Sequence, residues 1–339
     1  MIINVYHSFL LLCLILISGP ANKPVAITTG DEDLRVLSFN ILQGGGNAAN
    51  VGFPNRDFGG SRIDEIAEVI LMSRAQIVGI QEDDNSSKLF DALGPGWHRA
   101  GSVYAQFPLE LIQKSNWMTV AKANISSGQS ITVVNCHWRP SNYGPGQARD
   151  LLAEQGQPKD SVQFAKQILK SSDKSTGNRS YAETLQVLKP FLEKGDTIVV
   201  TGDFNEPSHL DWTSRYAEKG ADRWVQNKTE TPLRLEIAWK GSQLLAEAGL
   251  IDAYRRHFKD EVEHPGNTWT PEYPAETPGR LAYSDQVNDR IDMIYFSGPP
   301  MHLIEAAVVG ESSQTSGIVY QGRWPSDHRA VLAVFSIEP

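Results

Sequence analysis

The chain has 339 residues, of which 40% are hydrophobic and 21% charged, a globular rather than a disordered composition. Acidic residues outnumber basic ones 40 to 31 and leave a net charge of −9, which argues against binding nucleic acid by general charge attraction but not against a local basic groove. A chain this long buries a full core without staples and fits one large domain or two ordinary ones.

Residues 9–17 form a nearly unbroken apolar run, shorter than the roughly 20 residues a membrane-spanning helix needs. Small Gly19 and Ala21 follow it. The pattern reads as a secretory signal peptide over 1–21, with the exported domain over 22–339. The flank before the run carries no Lys or Arg, only His7, and the alternative is an uncleaved anchor. Of the two cysteines, only Cys136 remains after cleavage, so no internal disulfide is expected. Four N-x-S/T sequons, at Asn85, Asn124, Asn178 and Asn227, permit glycosylation without showing it.

From there short β-branched runs alternate with helical ones. Residues 34–42 alternate as a strand, and 44–60 form a Gly/Asn-rich loop. Ile63, Ile66, Val69 and Ile70 share one helical face over 62–72. A second strand spans 76–80. Residues 118–123 and 130–136 form a hairpin around Ser126-Ser127-Gly128. The polar stretch 142–160 reads as a long loop. Helices follow at 161–169 and 181–192, a strand at 197–200, and a helix at 237–248 stopped by Gly249. Residues 267–280 are Pro-rich loop, and late strands span 291–296 and 330–335. No linker divides the exported chain, so one domain is expected, with two sheets stacked between helices.

Polar residues end several of these strands, where a rigid scaffold would hold a loop-built site. They are Asn40, Glu82, His137, Asp203 and Asn205, joined late in the chain by Asp292, Asp327 and His328. Singly, each has an ordinary reading as a turn, cap or satisfied core residue. As a set they combine hard oxygen donors suited to Mg²⁺ (Asn40, Glu82, Asp327), two histidines able to donate to an anionic oxygen, and an Asp-x-Asn turn able to handle water. That inventory fits attack of water on a phosphate ester.

These residues lie in LSFNIL (37–42), GIQE (79–82), VNCHW (134–138), TGDFNEPS (201–208), DRIDMIY (289–295) and SDHRAVLAVF (326–335). The series resembles the endonuclease/exonuclease/phosphatase family of metal-dependent phosphoesterases, in family order and over most of the exported chain. The resemblance implies a four-layered α/β sandwich of two packed mixed sheets flanked by helices. It makes Glu82 the principal Mg²⁺ ligand, with Mn²⁺ as a substitute, and places Asn40 and Asp327 at the metal site. Asp203 is implied as general base or water-positioning carboxylate, with Asn205 beside it as a hydrogen-bond donor to the transition-state oxygens. His328 is implied to bind the scissile phosphate, oriented by Asp292 or Asp289, of which Asp292 fits the motif better. His137 matches the branch that includes secreted deoxyribonucleases, neutral sphingomyelinases and inositol-polyphosphate phosphatases. Two departures stand out: the segment between Glu82 and Trp117 reads as too short for the family's extra strand or hairpin, and 142–160 as an enlarged loop.

The expected substrate is a phosphoester, with Trp138 and Arg139 as contacts beside His137. No dense basic cluster favours duplex DNA. The function expected is therefore a secreted, monomeric Mg²⁺-dependent phosphodiesterase or phosphatase, with no membrane span after cleavage. Its alternatives are a secreted nuclease and an inactive binding module of the same fold.

Overall fold

β1 (Leu34–Asn40) is buried along its whole length because its alternate residues serve two apolar layers. Leu34 and Val36 join one cluster, Leu37 and Phe39 another. α1 (Ile63–Met72) returns the chain to β2 (Ile77–Gln81), which pairs with β1 in parallel, Asn40 opposite Gln81. The structure, a computed structural model, describes residues 33–49, 58–125, 129–223, 234–271 and 287–338. The expected signal peptide at 1–21, the Ser126–Gly128 turn, and parts of the 44–60 and 267–280 loops lie outside the described residues.

The first sheet has the order β12 (Ile318–Val319), β11 (Met301–Gly310), β13 (Ala330–Ile337), β1, β2, β4 (Val103–Ala105), β3 (His98–Ala100). The second runs β5 (Leu109–Lys114), β6 (Met118–Asn124), β7 (Ser130–His137), β8 (Ile198–Asp203), β10 (Asp292–Phe296), β9 (Ile251–Asp252). Both mix parallel and antiparallel pairs. Val36, Ile77, Val133, Val199 and Ile294 pack between them. α1 and α2 (Ser86–Leu93) cover the outer face of the first sheet. α5 (Tyr181–Lys194) and α7 (Lys240–Glu247) cover that of the second. The result is the expected four-layered α/β sandwich. Two glycines let its layers and strands close up. A Cβ on Gly79 would lie 1.9 Å from Thr201 Oγ1 across the inter-sheet space, and one on Gly202 would lie 2.7 Å from the Cys136 carbonyl.

Several local expectations need correction. Residues 82–117 are not short of structure: they hold α2, the β3–β4 hairpin and β5. The 142–160 stretch is no loop but contains α3 (Gly144–Gln155), followed by α4 (Ser161–Ser171). Pro145 sits in the first turn of α3, where its missing N–H costs nothing, and Ala148 and Leu152 anchor the helix on Trp212, Leu235 and Trp239. Polarity on the outer face hid this short buried stripe. The short α6 (Ser214–Lys219) and α8 (Ala253–His257), the edge strands β9 and β12 and the interior strand β11 were also not foreseen. Among the described residues no helix is long and apolar enough to cross a membrane.

Candidate active site

Strand register gathers the candidate residues at one end of the sandwich. β7 and β8 are parallel and end side by side, with His137 opposite Asp203. β10 is antiparallel to β8, so its first residue, Asp292, also pairs with Asp203. β1 ends in Asn40 and β2 is followed by Glu82. Tight polar contacts fix the loops between them. Ser326 Oγ donates to the Asn40 carbonyl (2.6 Å) and accepts from the His328 N–H (3.2 Å). Fully buried Arg62 reaches the carbonyls of Ile41, Leu42, Gly46 and Pro325, clamping the loops that carry Asn40 and Asp327.

Asp203 is the hub. Its Oδ2 accepts from Asn40 Nδ2 at 3.0 Å and Asn205 Nδ2 at 3.2 Å, and lies 3.3 Å from His137 Nε2. Its Oδ1 accepts from the Asn205 N–H at 2.9 Å. Burial alone would raise its pKa, but His328 and His137 outweigh burial and hold it down at about 2. His328 Nδ1 is 2.8 Å from Asp292 Oδ2, and its Nε2 is 3.9 Å from Asp203. Burial would lower the imidazole's pKa, yet Asp292, Asp327 and Asp203 push it up to about 10. These carboxylates favour the protonated ring, and among the described residues Nε2 has no hydrogen-bond partner, only the more distant Asp203 carboxylate. Asp292 and Asp203 are buried, as is His328, so Asp203 and His328 belong to the packed end of the sheets rather than to exposed loops.

Glu82 and Asn205 both have positive φ, 58° and 47°, a conformation that costs non-glycine residues of order 1–3 kcal/mol and concentrates at functional sites. Glu82 accepts from the Gln43 N–H at 2.7 Å and from Asn40 Nδ2 at 3.4 Å. Asp327 accepts from Trp269 Nε1 at 3.4 Å, while its buried Oδ1 has no partner. Burial raises the Asp327 pKa, and Glu82 and Asp203 raise it further against the opposing pull of His328. An orphaned carboxylate oxygen amid like charges is the setting a hard divalent cation fits. Asp203, Asp292 and His328 also bring one donor atom each within 4.8 Å of one another. The 2.8 Å contact of His328 Nδ1 with Asp292 and the 3.3 Å contact of His137 Nε2 with Asp203 also join these residues into an acid–imidazole chain.

Four sequence expectations change. Asn40 does not present oxygen to the metal position: its Oδ1 accepts from the Leu42 N–H at 3.1 Å, and its N–H groups face the two carboxylates. Asn205 Nδ2 is spent on Asp203 and the Trp138 carbonyl (3.0 Å), so it braces Asp203 instead of reaching outward. Trp138 is 1% exposed, packed on Tyr181 and Phe204 with its indole N–H on Thr184, and lines neither cavity at the site. The Arg139 guanidinium is held by the carbonyls of Thr176 and Asp173. Asp292, not Asp289, contacts His328.

Two cavities meet at Glu82, His137 and Pro140. One, of about 550 Å³, is lined by Tyr143, Arg149, Trp269, Asp203, Asp327 and His328. The other, of about 530 Å³, is lined by Gln81, Asp83, Lys114, Asn116, Trp117 and Arg179. Tyr143 and Trp269 are two of the aromatics that the sequence offers as cleft lining; Arg179, just before the Ser180-x-x-Glu183 capping signature of α5, was not foreseen.

A 325-position alignment relates the chain at 27% identity to an uncharacterized protein of Caenorhabditis elegans, covering 89% of this chain and 91% of that protein. Among solved structures, an endonuclease/exonuclease/phosphatase from Beutenbergia cavernae is similar at 15% identity and TM-score 0.48, covering 90% of this chain and 72% of that one. An AP endonuclease from Archaeoglobus fulgidus is similar at 16% identity and TM-score 0.48, covering 90% of this chain and 100% of that one. The sequence profile described as Endonuclease/Exonuclease/phosphatase family matches residues 37–328. With that match spanning most of its length, the chain belongs to the endonuclease/exonuclease/phosphatase family, whose members are typically metal-dependent hydrolases of phosphoesters.

Proposed function

We propose that the chain is a secreted Mg²⁺-dependent phosphoesterase that hydrolyses a phosphate ester by in-line attack of water. The observation that carries this reading is His328, held by buried Asp292 with its Nε2 lacking a hydrogen-bond partner among the described residues, beside the oxygen-rich pair Glu82 and Asp327. Glu82 and Asp327 would hold the ion, and Mn²⁺ would substitute. When bound, such an ion supplies positive charge for a non-bridging phosphate oxygen and for the leaving oxygen.

The protein's own groups supply the rest. His328 Nε2–H donates to a phosphate oxygen, and His137, which lines both cavities, stands ready as a second donor. Preorganised donors of this kind are worth roughly 3–4 kcal/mol each in the transition state. Asp203, held ionised by His328 and His137 against burial, aligns the attacking water and accepts its proton as it attacks. Asn40 and Asn205 hold that carboxylate in place. Cys136 takes no part: it is fully buried and burial pushes its thiol pKa far up. Export is supported by the apolar run at 9–17 followed by small residues.

The test is a screen of the purified exported chain, with Mg²⁺ or Mn²⁺, against DNA, sphingomyelin, inositol phosphates and a chromogenic phosphodiester. Metal-dependent turnover of at least one supports the reading. No turnover of any, in a folded metal-loaded protein, overturns it in favour of a binding module.

A further inference from the structure

The four N-x-S/T sequons are equivalent by sequence, and the fold separates them. Asn227 lies outside the described residues, and so does Ser126, which completes the sequon of Asn124. Two sequons are described from acceptor to hydroxyl residue, Asn85 with Ser87 and Asn178 with Ser180. An N-linked sugar is bulky and belongs on a surface. It needs room around the amide nitrogen that carries it, and that nitrogen cannot also serve the fold.

Asn85 fails on both counts. Its Nδ2 donates to the Gly44 carbonyl at 3.2 Å. The approach is so close that a Cβ on Gly44 would lie 2.6 Å from the Asn85 backbone N and 3.0 Å from its Nδ2. Gly44 follows Gln43, whose backbone N–H donates to Glu82 at 2.7 Å. A sugar on Asn85 would displace the turn that holds Glu82.

Asn178 differs in each respect. It is exposed, and no hydrogen bond among the described residues occupies its side chain. Both its neighbours face inward. A Cβ on Gly177 would lie 3.2 Å from Arg139 Nη1, and the Arg179 guanidinium donates to the carbonyls of His137 at 3.0 Å and Trp138 at 3.3 Å. Arg139 pins the same loop, its guanidinium on the carbonyls of Thr176 and Asp173 and its backbone N–H on that of Arg179 at 3.0 Å. Asn178 therefore stands outward on a loop held from both sides.

We propose that Asn178 is an N-glycosylation site and that Asn85 is not. The proposal rests on the export part of the reading above, because the donor, a lipid diphosphate-linked oligosaccharide, belongs to the secretory route. In the transfer, Asn178 Nδ2 bonds to the anomeric carbon of the sugar. The bond from that carbon to the diphosphate oxygen breaks, the amide gives up one proton, and the lipid diphosphate leaves. Ser180, the hydroxyl residue of the sequon, is 1% exposed in the fold and caps α5, accepting from the Glu183 N–H at 3.2 Å. The sequon is thus open before α5 is capped and closed afterwards, so the sugar is added to the entering chain. Its root lies one residue from Arg179, which lines the cavity beside His137, on the catalytic end of the sandwich.

The test expresses the full chain in a eukaryotic secretory host, beside a chain whose residues 1–21 are replaced by a borrowed cleavable leader. Enzymatic release of N-glycans in heavy-oxygen water turns each glycosylated Asn into an isotopically labelled Asp, which peptide mass spectrometry locates. The exported chain should carry label at Asn178 and none at Asn85. Asn178→Gln should lower the intact mass by one glycan. Ser180→Ala should lose that glycan and Ser180→Thr keep it. An exported chain unlabelled at Asn178 under either leader overturns the site and leaves export standing. Label at Asn85 in exported protein that melts cooperatively overturns the exclusion drawn from Gly44. A chain that stays inside the cell without sugar under its own N-terminus, while the borrowed leader yields label at Asn178, removes export and the natural site with it.

Discussion

Asp289 and Asp292 lie three residues apart in one motif, both completely buried, and burial raises the pKa of each. Their surroundings differ in one respect. Asp289 is saturated: Tyr143 donates to its Oδ2 at 2.7 Å, and Trp212 Nε1 and Arg223 Nη1 to its Oδ1 at 3.0 and 3.1 Å. Asp292 is half used. Its Oδ2 holds His328, and its Oδ1 has no fixed hydrogen-bond partner among the described residues, only the nearby Thr268 hydroxyl, which lowers its pKa. Arg290, between them, bridges Asp211 and Asp252 in a buried ion-pair network. A carboxylate whose every oxygen is taken by fixed donors serves the scaffold, whereas one with spare capacity beside a cleft-facing imidazolium is placed for chemistry. The completeness of hydrogen bonding separates the two, and neither burial nor pKa direction does.

The difference is tested hardest through the group that Asp292 holds. His328→Ala removes the free Nε2–H and should lower turnover by ~100-fold or more. Asp203→Asn should do the same by loosening control of water. Both act on one transition state, so the double variant should fall well short of the product of the two losses. Steady-state rates on a chromogenic phosphodiester at saturating metal decide this, and near-normal rates in either variant contradict it.

A smaller and more selective effect separates the two aspartates. Asp292→Asn should cut turnover by about 10-fold, by disorienting His328 and reducing its charge. Asp289→Asn should leave turnover within about threefold yet cost about 2 kcal/mol of stability, because the amide cannot satisfy three converging donors and leaves Arg223 poorly compensated. Parallel kinetics and thermal melts read both. The reverse pattern, with Asp289 the kinetically sensitive residue, would break the comparison.

The smallest effect concerns a third buried carboxylate, Glu206. Burial pushes its pKa up to about 7, against the pull of Lys174, itself brought down to about 8 by burial. The folded state then holds a proton that the unfolded chain releases from about pH 4.5 upward. Glu206 therefore makes stability fall as pH rises from about 4.5 to 7, and adds no further slope above that. Melting curves of Glu206→Gln should lose this part of the pH slope. A slope unchanged by the substitution would contradict it.

The sequence made the sandwich and most strand-end residues legible because strands and their polar ends are local signals. LSFN, GIQE, NCHW and GDFN each mark an apolar strand run that stops at a polar residue, and parallel register then brings the ends together. The misreadings depended on direction. Trp138 follows His137 by one residue, yet alternation along the strand turns it inward onto Phe204. Arg139 and Arg179 look alike in sequence, but only the backbone path before α5 sets which guanidinium reaches the cleft. Asn40 carries an oxygen suited to a metal, and a backbone N–H two residues on claims it. Helix α3 was hidden because its buried stripe is short and its first turn contains Gly and Pro.

The most direct test of the account is a metal titration of chelator-stripped protein on one chromogenic phosphodiester, with Glu82→Gln alongside. The account predicts no turnover without metal, recovery on adding Mg²⁺ or Mn²⁺, and a saturation midpoint at least ~10-fold higher in Glu82→Gln, as expected when one charged oxygen ligand is lost. Full turnover in excess chelator with no metal retained, or an unshifted midpoint in Glu82→Gln, would contradict it.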